Sequence, residues 1–263
     1  MIKRVGILGV GHLAGYLVEG LRRHDCQSCE DWQSLEIVLS PRNAEQSARL
    51  AEHFGALVAA DNQAVANTAD LILVTTRPGD VVPACQSIAF RTGQTVVTTA
   101  VGVSLAALQA AVAPASAIRA MPITCAAINR SPTLLYPDHP QARALFELLG
   151  SVHVLDDEAQ FTPASTIAAY YGWVYALMDE VVAWTVQAGV PPQIARNLVL
   201  ETARGAAEMS LAYPEQELSA LLDSLATPGG ITRQGLRILQ DRQSLDAWLE
   251  ALEAVLERLR GEA

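Results

Sequence analysis

The chain has 263 residues, 51% hydrophobic and 17% charged, enough apolar material for one large or two ordinary domains and too much for a disordered chain. Its net charge of −10, without any Lys/Arg cluster, excludes nucleic acid as a partner, because a phosphate backbone needs a basic face. The four cysteines are too few and too scattered for a disulfide framework.

The chain opens on an apolar run with β-branched Val5 and Ile7. It reaches Gly9-Val10-Gly11-His12-Leu13-Ala14 and then continues with the helical spacing of Leu13, Leu17, Val18 and Leu21. Strand, tight turn and helix with G-x-G-x-x-A at the turn is a dinucleotide-binding pattern. Gly9 permits the turn, Gly11 lets backbone approach a pyrophosphate, and Ala14 is small enough for the helix to lie close on the strand. The phosphates then meet the free N–H groups at His12 and Leu13, at the positive end of the helix. The N-terminus has no secretory n-region, h-region or cleavage site, so a cytoplasmic location is expected.

A polar segment follows, holding Cys26 and Cys29. No second Cys/His pair has matching spacing and Glu30-Asp31 opposes thiolate formation, so a free-thiol loop is favoured over a metal or redox pair, and no metal is expected. The second strand, Glu36 to Leu39, ends at Ser40-Pro41-Arg42-Asn43. In a dinucleotide fold this tip faces the adenosine ribose, and an acidic residue there binds the 2′-hydroxyl of NAD. Here Ser40 and Arg42 stand instead; a guanidinium pairs with a 2′-phosphate, which favours NADP, and the competing reading of Arg42 is a solvated turn residue.

A helix over Ala44 to Phe54, a short strand at Leu57-Val58-Ala59 and an Asp61-Asn62 turn into another helix come next. Ala69 to Thr75 is near-continuously apolar, as in a parallel strand buried on both faces, and stops at Thr76-Arg77-Pro78. Thr75, Thr76 and Arg77 therefore belong beside the diphosphate and ribose, and Ala100, after the fifth strand Thr95 to Thr99, is counted with them. Ser104 caps a helix over Leu105 to Val112. A sixth strand ends at Met121, Thr133 to Tyr136 reads as an edge strand, and Gln141 to Leu149 and Val152 to Leu155 as a helix and a last strand. The alternation implies an α/β fold, a doubly wound Rossmann-like sheet over residues 1–156.

From 157 to 263 only helical periodicity remains. The uncharged run Ala159 to Met178 is broken by Gln160, Thr162, Pro163, Ser165 and Thr166, so it reads as a buried or interface helix and no membrane span is expected. Its continuation is apolar nearly all round (Ile167, Tyr170, Tyr171, Trp173, Val174, Leu177), which one small helical domain cannot cover alone. An intertwined homodimer is the economical reading.

Near the end stands Thr227-Pro228-Gly229-Gly230-Ile231-Thr232. Together with the Gly9 motif, Val74-Thr75-Thr76-Arg77-Pro78, Ala100-Val101-Gly102-Val103-Ser104 and Arg119-Ala120-Met121-Pro122, in order along nearly the whole chain, it closely resembles the pyrroline-5-carboxylate reductase family. The resemblance implies a Rossmann domain, an all-α dimerisation domain and hydride transfer from NADPH to the C=N bond of a small cyclic imine. It also implies that Thr227, Gly229 and Gly230 hold the substrate carboxylate, that the Thr232 hydroxyl lies near the imine, and that Met121 lies on the substrate side. A Pro-Gly-Gly turn opening a helix is independently a backbone anion nest.

Three departures stand out. The family's S-G-S-G-P-A-Y is Ile167-Ala168-Ala169-Tyr170-Tyr171-Gly172-Trp173, its M-P-N-T-P is Met121-Pro122-Ile123-Thr124-Cys125, and its A-V-K-P is Thr75-Thr76-Arg77-Pro78. They suggest an imine reductase with a rebuilt substrate pocket, in which Tyr170 or Tyr171 donates a proton or covers the imine ring. The competing reading of these tyrosines is interface packing, as plain helix charge is for Asp179 and Glu180 against a role on an iminium. The lost serines also allow a catalytically silent NADP(H)-binding relative. Dehydrogenation of a β-hydroxy acid is disfavoured, since that chemistry wants a lysine base and no lysine follows Lys3.

Overall fold

The computed structural model describes residues 2–23 and 34–261, so Cys26 and Cys29 lie outside the described residues. Two compact units divide the chain, Met1–Ser165 and Thr166–Ala263.

Among the described residues the first unit is built on eight strands: β1 (Arg4–Leu8), β2 (Glu36–Leu39), β3 (Leu57–Val58), β4 (Leu71–Val74), β5 (Thr95–Thr98), β6 (Ser116–Met121), β7 (Thr133–Tyr136) and β8 (Val152–Val154). They form one sheet in the order β3-β2-β1-β4-β5-β6-β7-β8. From β3 to β6 every pair is parallel; β7 runs antiparallel to β6, and β8 parallel to β7. Thr133–Tyr136 is therefore not the edge strand expected from the sequence. Val152–Val154 lies outside it, paired Thr133 to Val152 and Leu135 to Val154.

All four residues of β4 and of β5 are buried, because helices cover both faces. Alternation sends Val5, Ile7, Ile37 and Leu73 to one face. There they meet α1 (His12–Arg22), α2 (Ala44–Phe54) and α6 (Pro140–Glu147). Leu8, Ile72, Val74 and Val96 point to the other face, against α3 (Asn62–Thr68), α4 (Pro78–Gln86) and α5 (Leu105–Val112). Asn43, Asp61 and Ser104 cap α2, α3 and α5 by accepting from Gln46, Ala64 and Ala107 N–H groups.

Short 3₁₀ turns at Thr124–Ile128 and Glu158–Gln160 and the helix α7 (Phe161–Ser165) complete the unit. Gly20 of α1 faces the first of these turns so closely that a Cβ there would collide with the Ala126 carbonyl oxygen. Arg119, 4% exposed, donates from Nη1 to Glu158 Oε1 at 2.7 Å and lies 4.0 Å over the Phe161 ring. The same Glu158 oxygen accepts the Leu105 N–H at 2.6 Å, so one carboxylate ties β6, the start of α5 and the second 3₁₀ turn.

Among the described residues the second unit holds five helices: α8 (Ile167–Gln187), α9 (Pro192–Ala212), α10 (Leu218–Leu225), α11 (Ile231–Asp241) and α12 (Ser244–Arg260). Trp248 of α12 receives Tyr170 and Trp173 of α8 edge-on, at 6.0 and 6.2 Å between ring centroids. No residue of α8 is buried, and Leu177, Trp184 and Leu198 stand 52, 68 and 56% exposed. Among the described residues no helix is long and apolar enough to cross a membrane.

Candidate active site

The parallel strands end together. Leu8 pairs with Val74, Val74 with Thr98, and Ile7 with Leu39, so the carboxyl ends of β1, β2, β4 and β5 form one sheet edge. Strand order reverses between β1 and β4, the crevice where open α/β sheets bind ligands. At this edge the structure brings together the turn after β1, Ser40 and Arg42 after β2, Thr75 to Arg77 after β4, and Ala100 after β5. Met121 ends β6, buried, two residues beyond the Thr98–Arg119 pair.

Gly9 turns the chain at φ +85°. A Cβ there would collide with Thr76 Cγ2 and lie 2.9 Å from the Thr76 nitrogen, so both the dihedral and the neighbour require glycine. Gly11 ends the turn as the N-cap of α1 with no side-chain cap, and nothing stands within 4 Å of where its Cβ would be. The N–H groups of His12, Leu13 and Ala14 make no hydrogen bond to another described residue. Ala14 is fully buried against the sheet, Leu13 half-buried and His12 exposed. Uncapped donors, open space beside Gly11 and the positive helix end suit the diphosphate of a dinucleotide.

At the tip of β2 the two named side chains part. Ser40 is 1% exposed, and its Oγ accepts the Gly9 N–H at 3.1 Å. Arg42 is exposed, forms no ion pair among the described residues, and rims a shallow hollow of about 440 Å³ shared with Pro41, Asn62 and Gln63. Asp61, also at that hollow, is turned to its capping bond with Ala64 N–H at 2.7 Å. After β4, Thr75 Oγ1 donates to the Gly9 carbonyl at 2.5 Å, the Thr76 hydroxyl is buried without a partner, and exposed Arg77 precedes Pro78 at the start of α4. Ala100 is buried, its N–H donating to Thr98 Oγ1 at 3.2 Å. The sequence reading missed Asn43, whose Nδ2 donates to the Val10 carbonyl at 2.9 Å; an asparagine just ahead of a helix was the available signal.

In the helical unit, Thr227-Pro228-Gly229-Gly230 forms a β-turn. The Gly230 N–H donates to the Thr227 carbonyl at 3.0 Å, Pro228 and Gly229 are the two central residues, and Gly229 has φ +76°. A Cβ on Gly230 would stand 2.8 Å from Thr227 Oγ1. Gly230 then opens α11 with no side-chain cap, and the N–H groups of Ile231, Thr232 and Arg233 make no hydrogen bond to another described residue. Arg233 Nε donates back to the Ala226 carbonyl at 2.6 Å, closing the loop. Thr232 is exposed on the first turn of α11.

On α8 the paired tyrosines diverge. Tyr170 packs on Trp248, whereas the Tyr171 hydroxyl lies 2.9 Å from the Tyr175 hydroxyl with their rings 5.1 Å apart. Cys125, in the altered loop after Met121, donates its S–H to the Arg130 carbonyl. Among the described residues no group of three or more His, Cys, Asp or Glu is placed to hold a metal ion.

Two family models match the chain. One, described as coenzyme F420-dependent NADP oxidoreductase, covers residues 4–102; the other, described as pyrroline-5-carboxylate reductase dimerisation, covers 158–261. The pyrroline-5-carboxylate reductase of Pseudomonas aeruginosa is 28% identical over 270 residues, spanning 97% of this chain and 95% of the relative. Among solved structures, 1-pyrroline-5-carboxylate reductase from Streptococcus pyogenes aligns with a TM-score of 0.84 at 22% identity over 98% of both chains. Plasmodium falciparum pyrroline carboxylate reductase with NADP bound aligns at 0.81 and 19%, over 98% of this chain and 97% of that one. Sheet edge, helical unit and matches together define an NAD(P)H-dependent oxidoreductase with a self-associating helical domain. Within that class, the model matched over 158–261 and the full-length relatives are those of the pyrroline-5-carboxylate reductase family, which the chain resembles from end to end.

Proposed function

We propose that this protein reduces the C=N bond of a small cyclic imine carboxylate with NADPH. Pyrroline-5-carboxylate, giving proline, is the first substrate to test and a related ketimine the second. One observation carries the reading: the Thr227–Gly230 turn presents uncapped N–H groups at the start of α11, a nest for a carboxylate, in a chain whose other unit opens on the Gly9–Gly11 turn. The reading divides the chain into an NADP-binding domain over 1–156 and a dimerisation and substrate domain over 157–263, in a cytoplasmic homodimer.

NADPH, when bound, supplies a hydride from C4 of its nicotinamide. The work of the chain's own residues is positioning and charge. Gly9, Gly11 and the N–H groups of His12, Leu13 and Ala14 hold the diphosphate; Thr75, Thr76, Arg77 and Ala100 line the ribose and nicotinamide side; Arg42 pairs with the 2′-phosphate. Thr227, Gly229 and Gly230 receive the substrate carboxylate, and Met121 walls its ring. The Thr232 hydroxyl polarises the imine nitrogen. A proton then comes from a phenol, and Tyr171 is suited to give one because the Tyr175 hydroxyl within hydrogen-bond distance replaces what it loses, while Tyr170, braced on Trp248, covers the ring.

The test is NADPH oxidation against pyrroline-5-carboxylate, pyrroline-2-carboxylate and piperideine carboxylates. Turnover with at least one is expected. Tight NADPH binding with no turnover on any of them overturns the proposal in favour of a catalytically silent relative.

A further inference from the structure

Most peptide groups of the Gly9–Gly11 turn are taken by partners within the first unit. The Gly9 N–H donates to Ser40 Oγ at 3.1 Å, and the Gly9 carbonyl accepts from Thr75 Oγ1 at 2.5 Å and from the Gly11 N–H at 3.0 Å. The Val10 carbonyl accepts from Asn43 Nδ2 at 2.9 Å. Ser40 is itself fixed, its N–H donating to Ile7 and its carbonyl accepting from Ser47 Oγ at 2.9 Å. Two strand tips thus grip the turn from opposite sides, and the donors left over are the Val10 N–H and those at the start of α1. The Ser40 oxygen, 1% exposed and aimed at Gly9, is turned away from the solvent-facing hollow that Arg42 rims.

We propose that Ser40, Asn43 and Thr75 are positioning residues, which hold the Gly9–Gly11 turn ready for a dinucleotide diphosphate, and that discrimination of the 2′-phosphate rests on Arg42 without Ser40. The inference builds on the dinucleotide part of the proposed function and moves Ser40 from the ribose side, where its place at the strand tip had put it, to the turn. A turn already held in its bound shape spares the ordering cost at binding, and a diphosphate is common to NADPH and NADH, so loss of the grip weakens both alike.

The experiment measures dissociation constants for NADPH and NADH by tryptophan fluorescence on the full-length wild-type, Ser40→Ala, Thr75→Val, Thr75→Ser and Arg42→Ala proteins, with thermal melts to establish folding. Ser40→Ala and Thr75→Val are expected to weaken both dinucleotides by the same factor, about three- to tenfold for one lost hydrogen bond, with the NADPH/NADH ratio unchanged. Thr75→Ser, which keeps the donor, recovers most of the loss, as a merely space-filling role would not. Arg42→Ala alone collapses the ratio. Should Thr75→Val not fold, Thr75→Ala takes its place. A Ser40→Ala effect confined to NADPH overturns the inference, as do constants within twofold of wild type for both Ser40→Ala and Thr75→Val. Wild-type protein that binds neither dinucleotide overturns the functional reading itself, and the inference with it.

Discussion

Gly9 carries two constraints that no other residue type meets, a left-handed φ of +85° and the Thr76 backbone nitrogen 2.9 Å from any Cβ. The left-handed conformation alone costs a residue with a Cβ about 1–2 kcal/mol. Gly9→Ala is expected to lower the melting temperature and to abolish measurable NADPH binding by titration. Burial acts differently on Cys85, whose thiol it pushes up to about 11. The folded state therefore keeps a proton that the unfolded state gives up near pH 9, so this contribution is fully present below that pH and is lost as pH rises from about 9 to about 11. Urea unfolding is expected to show wild-type stability falling more steeply than that of Cys85→Ala across that window; parallel curves contradict it. At this scale the glycine motif was legible because spacing alone carries it. The direction of Ser40 was not, since which way a side chain at a strand tip turns depends on a partner 31 residues away in sequence, the Gly9 N–H.

Helices and strands were more legible than their neighbours. β4 and β5 stood out as apolar runs because both their faces are covered, and the Ser104 and Asp61 caps announced their helices. α4 was not read, although Pro78 at its first turn is a helix-start signal, because Pro83 inside it disguises the pattern. The outermost place of β8 was hidden for another reason: strand order is set by the chain's reversal through the 3₁₀ turn Thr124–Ile128 and by long-range pairing, which periodicity does not record. In the helical unit the Thr227–Gly230 turn acts as one element with α11. Gly229→Ala, at φ +76°, is expected to raise the KM for the imine carboxylate while NADPH affinity holds. Thr232→Ala leaves that turn intact and is expected to lower kcat by about a hundredfold, the scale of a lost transition-state donor. Unchanged steady-state kinetics in Thr232→Ala removes the hydroxyl from the mechanism.

The helical domain on its own leaves large apolar side chains in water: Trp184 at 68%, Leu211 at 80% and Ile231 at 88% exposure. Such a surface belongs to an interface, as the dimerisation model over 158–261 states in its description. Sedimentation is expected to give twice the chain mass at micromolar concentration, and Trp184→Arg to shift it toward the single chain. A wild-type monomer with full activity contradicts this. The sequence announced the interface through a long helix without a polar face, while the rebuilt residues of α8 leave the choice of imine to experiment. That a hydride reaches the carbon of a cyclic imine carboxylate is the claim on which the account stands. The most direct measurement is turnover of pyrroline-5-carboxylate with NADPH carrying deuterium at C4 of the nicotinamide, using each C4 stereoisomer, followed by mass spectrometry of the product. One isomer is expected to deliver a single deuterium to the former imine carbon; product without deuterium from either isomer, or NADPH left unconsumed, contradicts the account.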